Sequence, residues 1–206
     1  MLRATAPRAE PVRRFSFGML PALQARLDAI ESRRRRTLDE LAAADEAQRE
    51  FHPMPGVWSL LDVARHLAIV DGKTTRVLAQ KRVTGIPRKP LVDAFVKQPA
   101  LWLYFGSPWR AKIPAQSVAP DASMTLDLVR RDWEAAHAML AEHLGTIGAG
   151  DTRTIVYRHP VAGYMNIFDT LRFVSRHHDH HRNQMGRIRR AAGFPATSRR
   201  GAPGTA

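Results

Sequence analysis

The chain contains no cysteine. That excludes disulfides, thiolate metal ligands and a cysteine nucleophile, so any transition metal has to be held by His, Asp or Glu. No apolar run approaches the length that crosses a bilayer. Residues 1–14 carry Arg3, Arg8, Arg13 and Arg14 around Pro7 and Pro11, without the apolar stretch of a secretory signal. Such a chain suits a reducing cytosol, and the expected location is cytoplasmic, with no membrane partner. Acidic side chains are scarce, 19 Asp and Glu against 32 Lys and Arg, for a net charge of +13. The excess is largely arginine and is spread along the chain. No recognised nucleic-acid motif accompanies it, so a solvated basic surface is favoured and nucleic acid is the secondary reading. No internal repeat is found.

What the chain does have is histidine in one place. Four of its nine histidines fall within the five positions His177-His178-Asp179-His180-His181. Ile167, Leu171 and Val174 before them, and Met185, Ile188 and Ala192 after them, recur at helical spacing. At about 100° per residue, Val174 and Ile188 lie about 20° either side of His181, and His177 about 40° away in the same apolar arc. His178 falls about 60° off on one flank and His180 about 100° off at the edge, while Arg172, Arg176, Arg182 and Arg190 point away. His177 and His181 thus form an i, i+4 pair facing the core, a spacing that lets two imidazoles reach one metal ion. Two readings stay open at this point: metal ligands, or hydrogen-bonded core histidines. Gln184 continues the same face one turn on.

In chain order, residues 1–15 are expected to form a flexible basic tail, 16–195 one domain, and 196–206 a disordered tail. With 206 residues and 44% hydrophobic content, one domain with a sizeable core is expected. Pro21 opens a first helix, with Leu20, Leu23, Leu27, Ile30, Leu38 and Leu41 as its stripe, ending near Ala44. Arg33–Arg36 interrupt that stripe and are expected to be exposed, their stems covering apolar surface. Residues 45–57 read as polar and turn-like, with Pro53, Pro55 and Gly56 as breakers.

Ser59 and Asp62 then have the spacing of a capping box. The second helix carries Leu60, Val63, Leu67, Val70 and Val77 on one face, and His66 falls on that face. Taken with His177 and His181, His66 completes a candidate three-histidine site. Three protein ligands leave positions open for water or substrate, the arrangement of a catalytic metal rather than a closed structural one.

Residues 81–122 hold six of the fourteen prolines and the run Leu101-Trp102-Leu103-Tyr104-Phe105. They are expected to form a crossover that packs its aromatics over the bundle, either as a lid on a substrate pocket or as plain edge packing. A third helix is expected from near Ser123, with Leu126, Val129, Trp133, Ala136, Leu140 and Leu144 as its stripe and His137 and His143 peripheral. Asp151–His159 reads as a short extended piece and 159–163 as a turn. Asn166 caps a last helix over 167–192, which Gly193 and Pro195 stop.

The fold class expected is therefore all-α, a four-helix bundle with a long crossover between helices 2 and 3. At this point the sequence resembles the DinB/YfiT-like superfamily of metalloenzymes. The resemblance rests on 58–67 (Trp-Ser-Leu-Leu-Asp-Val-Ala-Arg-His-Leu), on 159–166, and on His177, His181 and Gln184 in a His, His four on, Gln three further pattern. It spans about residues 17–195. It implies a bundle holding a divalent ion on three histidines, which map to His66, His177 and His181. Members of that superfamily include thiol-dependent transferases and isomerases, so the first functional reading is an enzyme: a divalent ion such as Zn, Ni or Fe would activate a low-molecular-weight thiol for S-transfer, or a water for hydrolysis, on a small-molecule substrate. The basic crossover departs from the shorter version expected of the family, so no substrate class carries over. No convincing general acid or base stands out; Gln184 and His159 are read as packing or orienting residues. The alternative is a non-catalytic, metal-stabilised bundle that binds a partner such as nucleic acid through its basic surface. A two-fold homodimer through exposed bundle faces is a reasonable assembly.

Overall fold

A computed structural model of the protein describes residues 18–80, 90–106 and 118–196. Four long helices form the body: α1 (Pro21–Ala43), α3 (Leu60–Gln80), α5 (Leu126–Leu144) and α6 (Ile167–Arg189). A one-turn helix α2 (Glu46–Arg49) lies between the first two, and the crossover holds a π-helical turn (Asp93–Lys97) running into α4 (Gln98–Gly106). A hairpin of β1 (Ile155–His159) and β2 (Gly163–Asn166) joins α5 to α6. The expected basic tail 1–15, the tail from 197 on, and crossover stretches 81–89 and 107–117 lie outside the described residues.

Cross-helix bonds fix the directions. Arg33 reaches Asp179 and Glu40 reaches Arg189, so α1 and α6 run parallel. Arg65 reaches the Met124 carbonyl and Asp71 reaches Trp133, so α3 and α5 also run parallel. Parallel neighbours joined in sequence need a long connection, which is why a crossover stands between α3 and α5.

The local signals act as the sequence predicts. Ser59 Oγ accepts from the Asp62 N–H and Asp62 Oδ2 from the Ser59 N–H, both at 3.1 Å. Asn166 and Asp169 make the equivalent box at the start of α6. Satisfied first-turn donors of this kind are worth about 1 kcal/mol each. Boundaries move where a nearer cap competes. Helix α5 begins at Leu126, not Ser123, because Thr125 caps it and Ser123 instead donates to Asp121 in a tight turn. Helix α6 ends at Arg189 rather than 192, and Gly193 follows at φ +79.

Among the described residues, α2, β2 and α4 lie outside the expected four-helix plan. Asp45 and Gln48 form a capping box that starts α2 within the stretch read as a turn. The expected extended piece is β1, but it pairs with a second strand, β2, in antiparallel register Tyr157 with Met165 and His159 with Gly163. Helix α4 carries the aromatic run, burying Leu101 and exposing Leu103; the other side chains of that run lie outside the described residues.

The interior is two apolar clusters with a polar layer between them. One gathers Leu23, Leu27, Ile30, Leu78, Leu140 and Leu171 near the hairpin; the other gathers Leu38, Leu41, Val63, Leu67, Trp133 and Met185 at the opposite end. Along α1 the step between clusters carries Arg33, Arg34 and Thr37; along α3, Asp71, Thr74 and Thr75; along α6, His177 to His181. The arginine run is only partly the exposed stretch expected of it: Arg35 and Arg36 are exposed, Arg33 is half-buried and Arg34 is buried. Arg34 is buried and bonds Glu31 at 2.7 and 2.8 Å, Arg35 bonds Glu31 too, and Arg33 grips Asp179 at 2.8 and 3.1 Å. These contacts hold the Glu31 carboxyl down to about 2, the Arg34 hydrogen bonds being the largest cause. His137, expected at the periphery, comes within 3.3 Å of the same carboxylate.

The crossover docks on the hairpin through polar atoms. Asp93 Oδ2 accepts the Tyr164 N–H at 2.9 Å and Gln98 Nε2 donates to the Tyr164 carbonyl at 2.9 Å, so the outer edge of β2 is capped. Lys97 pairs with the other oxygen of Asp93, and both contacts pull that carboxyl below its usual range, Lys97 more strongly. Gly163 makes the docking possible: its φ is +72, and a Cβ there would run into the Asp93 carboxylate. Gly56 has a similar φ of +75 but open space around it. Gly56→Ala is expected to cost about 1–2 kcal/mol for the left-handed backbone alone, and Gly163→Ala measurably more, since the carboxylate must also move. Urea unfolding of the two variants checks the difference; equal losses would mean the Asp93 contact carries no weight.

Candidate metal centre

Helix α3 supplies His66 and helix α6 supplies His177 and His181, and the structure brings the three rings together. His66 Nε2 lies 3.2 Å from His177 Nε2, which lies 3.0 Å from His181 Nε2. One nitrogen from each ring falls within 4.8 Å of the other two, and all three residues are buried. Among the described residues, no other group of His, Asp and Glu meets that condition.

The outer nitrogens decide what the inner ones present. His66 Nδ1 is 2.6 Å from the Val118 carbonyl, which can only accept, so that nitrogen carries the proton. His181 Nδ1 is 2.8 Å from Gln184 Oε1 and donates likewise. In the neutral rings, both Nε2 atoms are then bare lone pairs aimed at one point. His177 Nε2 sits between them and can carry at most one proton, which cannot serve two lone pairs equally. A cation at the convergence satisfies all three. Two nitrogens at about 2.0–2.1 Å from a common ion stand about 3.0–3.4 Å apart, which matches the two separations observed. The donor set, three imidazoles and no carboxylate or thiolate, suits a borderline divalent ion.

The rings are kept neutral. Burial lowers the pKa of His177 and His181 well below 6.5, and the neighbouring imidazoles push in the same direction. His66 is lowered too, again mainly by burial, with the Val118 hydrogen bond opposing. Aromatic walls supply that burial. Trp58, just before the α3 cap, lies 4.8 Å from the His66 ring and stacks at 6.0 Å on His181. Phe173, one turn before His177, stacks on it at 5.5 Å. His180 meets His181 edge-on at 5.2 Å.

The other singled-out residues separate. Gln184 orients His181, as its place on the wheel allowed. His159 is not in the cluster; its Nδ1 accepts the N–H groups of Val161 and Ala162 at 3.1 and 3.0 Å, closing the hairpin turn. Its ring packs on Phe173 at 4.6 Å, and burial pushes its pKa down to about 4. His178, placed on the flank by the wheel, is buried against a different partner. Its Nε2 lies 2.7 Å from Asp71 Oδ2, which also accepts the Trp133 indole N–H at 2.7 Å. Asp71 carries little signal in the sequence, being a carboxylate at the edge of the α3 stripe five residues past His66.

The DinB superfamily matches residues 29–185. Among solved structures, that of TT2238, described as a four-helix bundle protein, is similar with a TM-score of 0.52 at 22% identity, covering 80% of this chain and 98% of that one. At that identity the likeness bears on the fold alone. No curated protein matches the chain.

The depressed histidines set a pH dependence for the metal-free protein. In the unfolded chain they take up protons near 6.5, and in the folded chain only well below that, so the unfolded state binds more protons as pH falls. Stability from these groups is therefore full above 6.5 and drains away as pH drops through the folded values, about 4 for His159. Thermal melts of metal-free protein should show a Tm that is level near neutrality and falls from about pH 6.5 downward. A Tm that holds level from neutrality to about pH 4 would contradict this burial of neutral rings.

Proposed function

The chain belongs to the DinB superfamily, and from that premise we propose that it is a metal-dependent enzyme of the thiol S-transferase or hydrolase type, with His66, His177 and His181 as the ligands of a divalent ion such as Zn, Ni or Fe. The observation that carries the proposal is the convergence of three Nε2 atoms at the middle of the bundle, two of them held as bare lone pairs by Val118 and Gln184. Once bound, an ion with three protein ligands supplies Lewis-acid chemistry, lowering the pKa of a water or of a low-molecular-weight thiol.

The chain's own residues do the rest. Val118 and Gln184 fix two ring tautomers, so binding needs no proton rearrangement at those rings. Trp58 and Phe173 wall the cluster with apolar faces, which strengthens electrostatic interactions inside it. No side chain in contact with the three rings is assigned the role of general acid or base. Small-molecule substrates fit this reading, because the cluster lies inside the bundle and not on a broad face. The alternative reading, a non-catalytic bundle that binds nucleic acid through its basic surface, rests on the net charge of +13.

Metal analysis of protein purified without a histidine tag tests the reading. Wild type should carry close to one divalent ion per chain. His66→Ala and His181→Ala should each lose it while keeping the helical circular-dichroism signal, with affinity falling by more than the about 10–100-fold typical of outer-shell changes. If both variants keep the ion, the three-histidine assignment is wrong. A screen of several thiols against an electrophile then tests the chemistry; turnover that vanishes in the same two variants is the expected result.

A further inference from the structure

The polar layer contains a second contact between α3 and α6 beside the histidine cluster. Asp71 lies five residues past His66 on α3, about 7.5 Å along the helix. His178 directly follows His177 on α6. Asp71 Oδ2 receives His178 Nε2–H and Trp133 Nε1–H, each at 2.7 Å. All three residues are buried, His178 at 2% exposure and Trp133 at 1%. The His178 ring also meets the Trp133 ring edge-on at 5.4 Å.

A single contact between two helices leaves one free to roll or slide about it; a second contact of fixed length removes that freedom. The cluster of three imidazoles is a poor candidate for holding itself together without an ion, because two of its inner nitrogens are bare lone pairs facing one another. Two further contacts help to set the roll of α6, Asp179 with Arg33 and His178 with Asp71, and the second is made by the residue next to His177. Asp71 has the reach and the rigidity. Its carboxylate is pinned from α5 by Trp133, and it grips the residue next to the middle ligand.

We propose that Asp71 is a positioning residue, which through His178 sets the roll of α6 and thereby brings His177 and His181 onto His66. The metal-binding consequence of this rests on the function proposed above; the placing of the three rings does not.

The test uses Asp71→Leu, which removes the acceptor, and Asp71→Asn, whose oxygen can still accept both N–H groups. Leu144→Ala serves as a control, since Leu144 is fully buried in the apolar cluster near the hairpin. Each protein is titrated with Co(II) and its visible absorption recorded. The imidazole nitrogen signals of His66, His177 and His181 are followed by NMR in the metal-free protein.

Asp71→Leu should bind Co(II) about 10–100-fold more weakly, with an altered absorption spectrum and displaced imidazole signals. Asp71→Asn should stay nearer wild type than Asp71→Leu in all three readouts. Leu144→Ala should lose stability with no change in spectrum. If Asp71→Leu does not fold, His178→Phe, which keeps a ring but removes the N–H, is read in its place. A folded Asp71→Leu or His178→Phe with wild-type affinity, spectrum and imidazole signals overturns the proposal. So does Leu144→Ala reproducing the spectral change, since loss of stability would then be the cause. Wild type that takes up no Co(II) would sink the metal reading, and the imidazole signals alone would then judge Asp71.

Discussion

The roll of α6 about its own axis is the constraint on which the structure turns. Three consecutive side chains set it, because successive residues on a helix point about 100° apart. His177 faces His66 of α3, His178 faces Asp71 and the Trp133 indole of α5, and Asp179 meets Arg33 of α1. A helix held in three directions within one turn has little freedom left. A one-residue slip would turn every one of these groups away from its partner.

That setting explains why polar groups are tolerated at the middle of the bundle. Charged or hydrogen-bonding side chains cost heavily inside a core unless each finds a partner. Here Arg34 has Glu31, Asp71 has His178 and Trp133, and His66 and His181 have a carbonyl and an amide oxygen. The apolar clusters on either side of the layer supply the hydrophobic burial, which lets the layer itself give up stability for geometry.

Much of this was legible in the sequence, and the parts that were not share physical reasons. The four long helices are legible by their apolar period, and α3 and α6 also by caps without a competitor, Ser59 with Asp62 and Asn166. His66, His177 and His181 were legible because they interrupt apolar stripes at positions where a stripe should continue. His178 and Asp71 were not, since each sits at the edge of its stripe, where a polar residue normally meets solvent; only the packing of α5 behind them makes that edge an interior. The same holds for Arg34, read as surface from its neighbours Arg33, Arg35 and Arg36. Helix α4 was hidden because Leu101 to Phe105 is apolar throughout, so no period distinguishes helix from strand. Strand β2 was hidden because its four residues double as the approach to the Asn166 cap, and a strand that short needs its partner β1 to exist. The α2 capping box, Asp45 with Gln48, has a sequence signal, but Pro53 and Pro55 just beyond it mask so short a helix.

The histidines that meet at the cluster are 111 residues apart along the chain. A ribosome adding about 5–20 residues each second delivers His66 several seconds before His177. During that interval Arg33, Asp71 and His66 have emerged without Asp179, His178 and His177, their partners on α6. The bundle's middle is thus finished by its last helix, and closing so long a loop is an entropic cost that contacts of α6 alone must offset. An occupant shared by all three rings would act on that final step only, tightening the seat of a late-arriving helix instead of guiding the early ones.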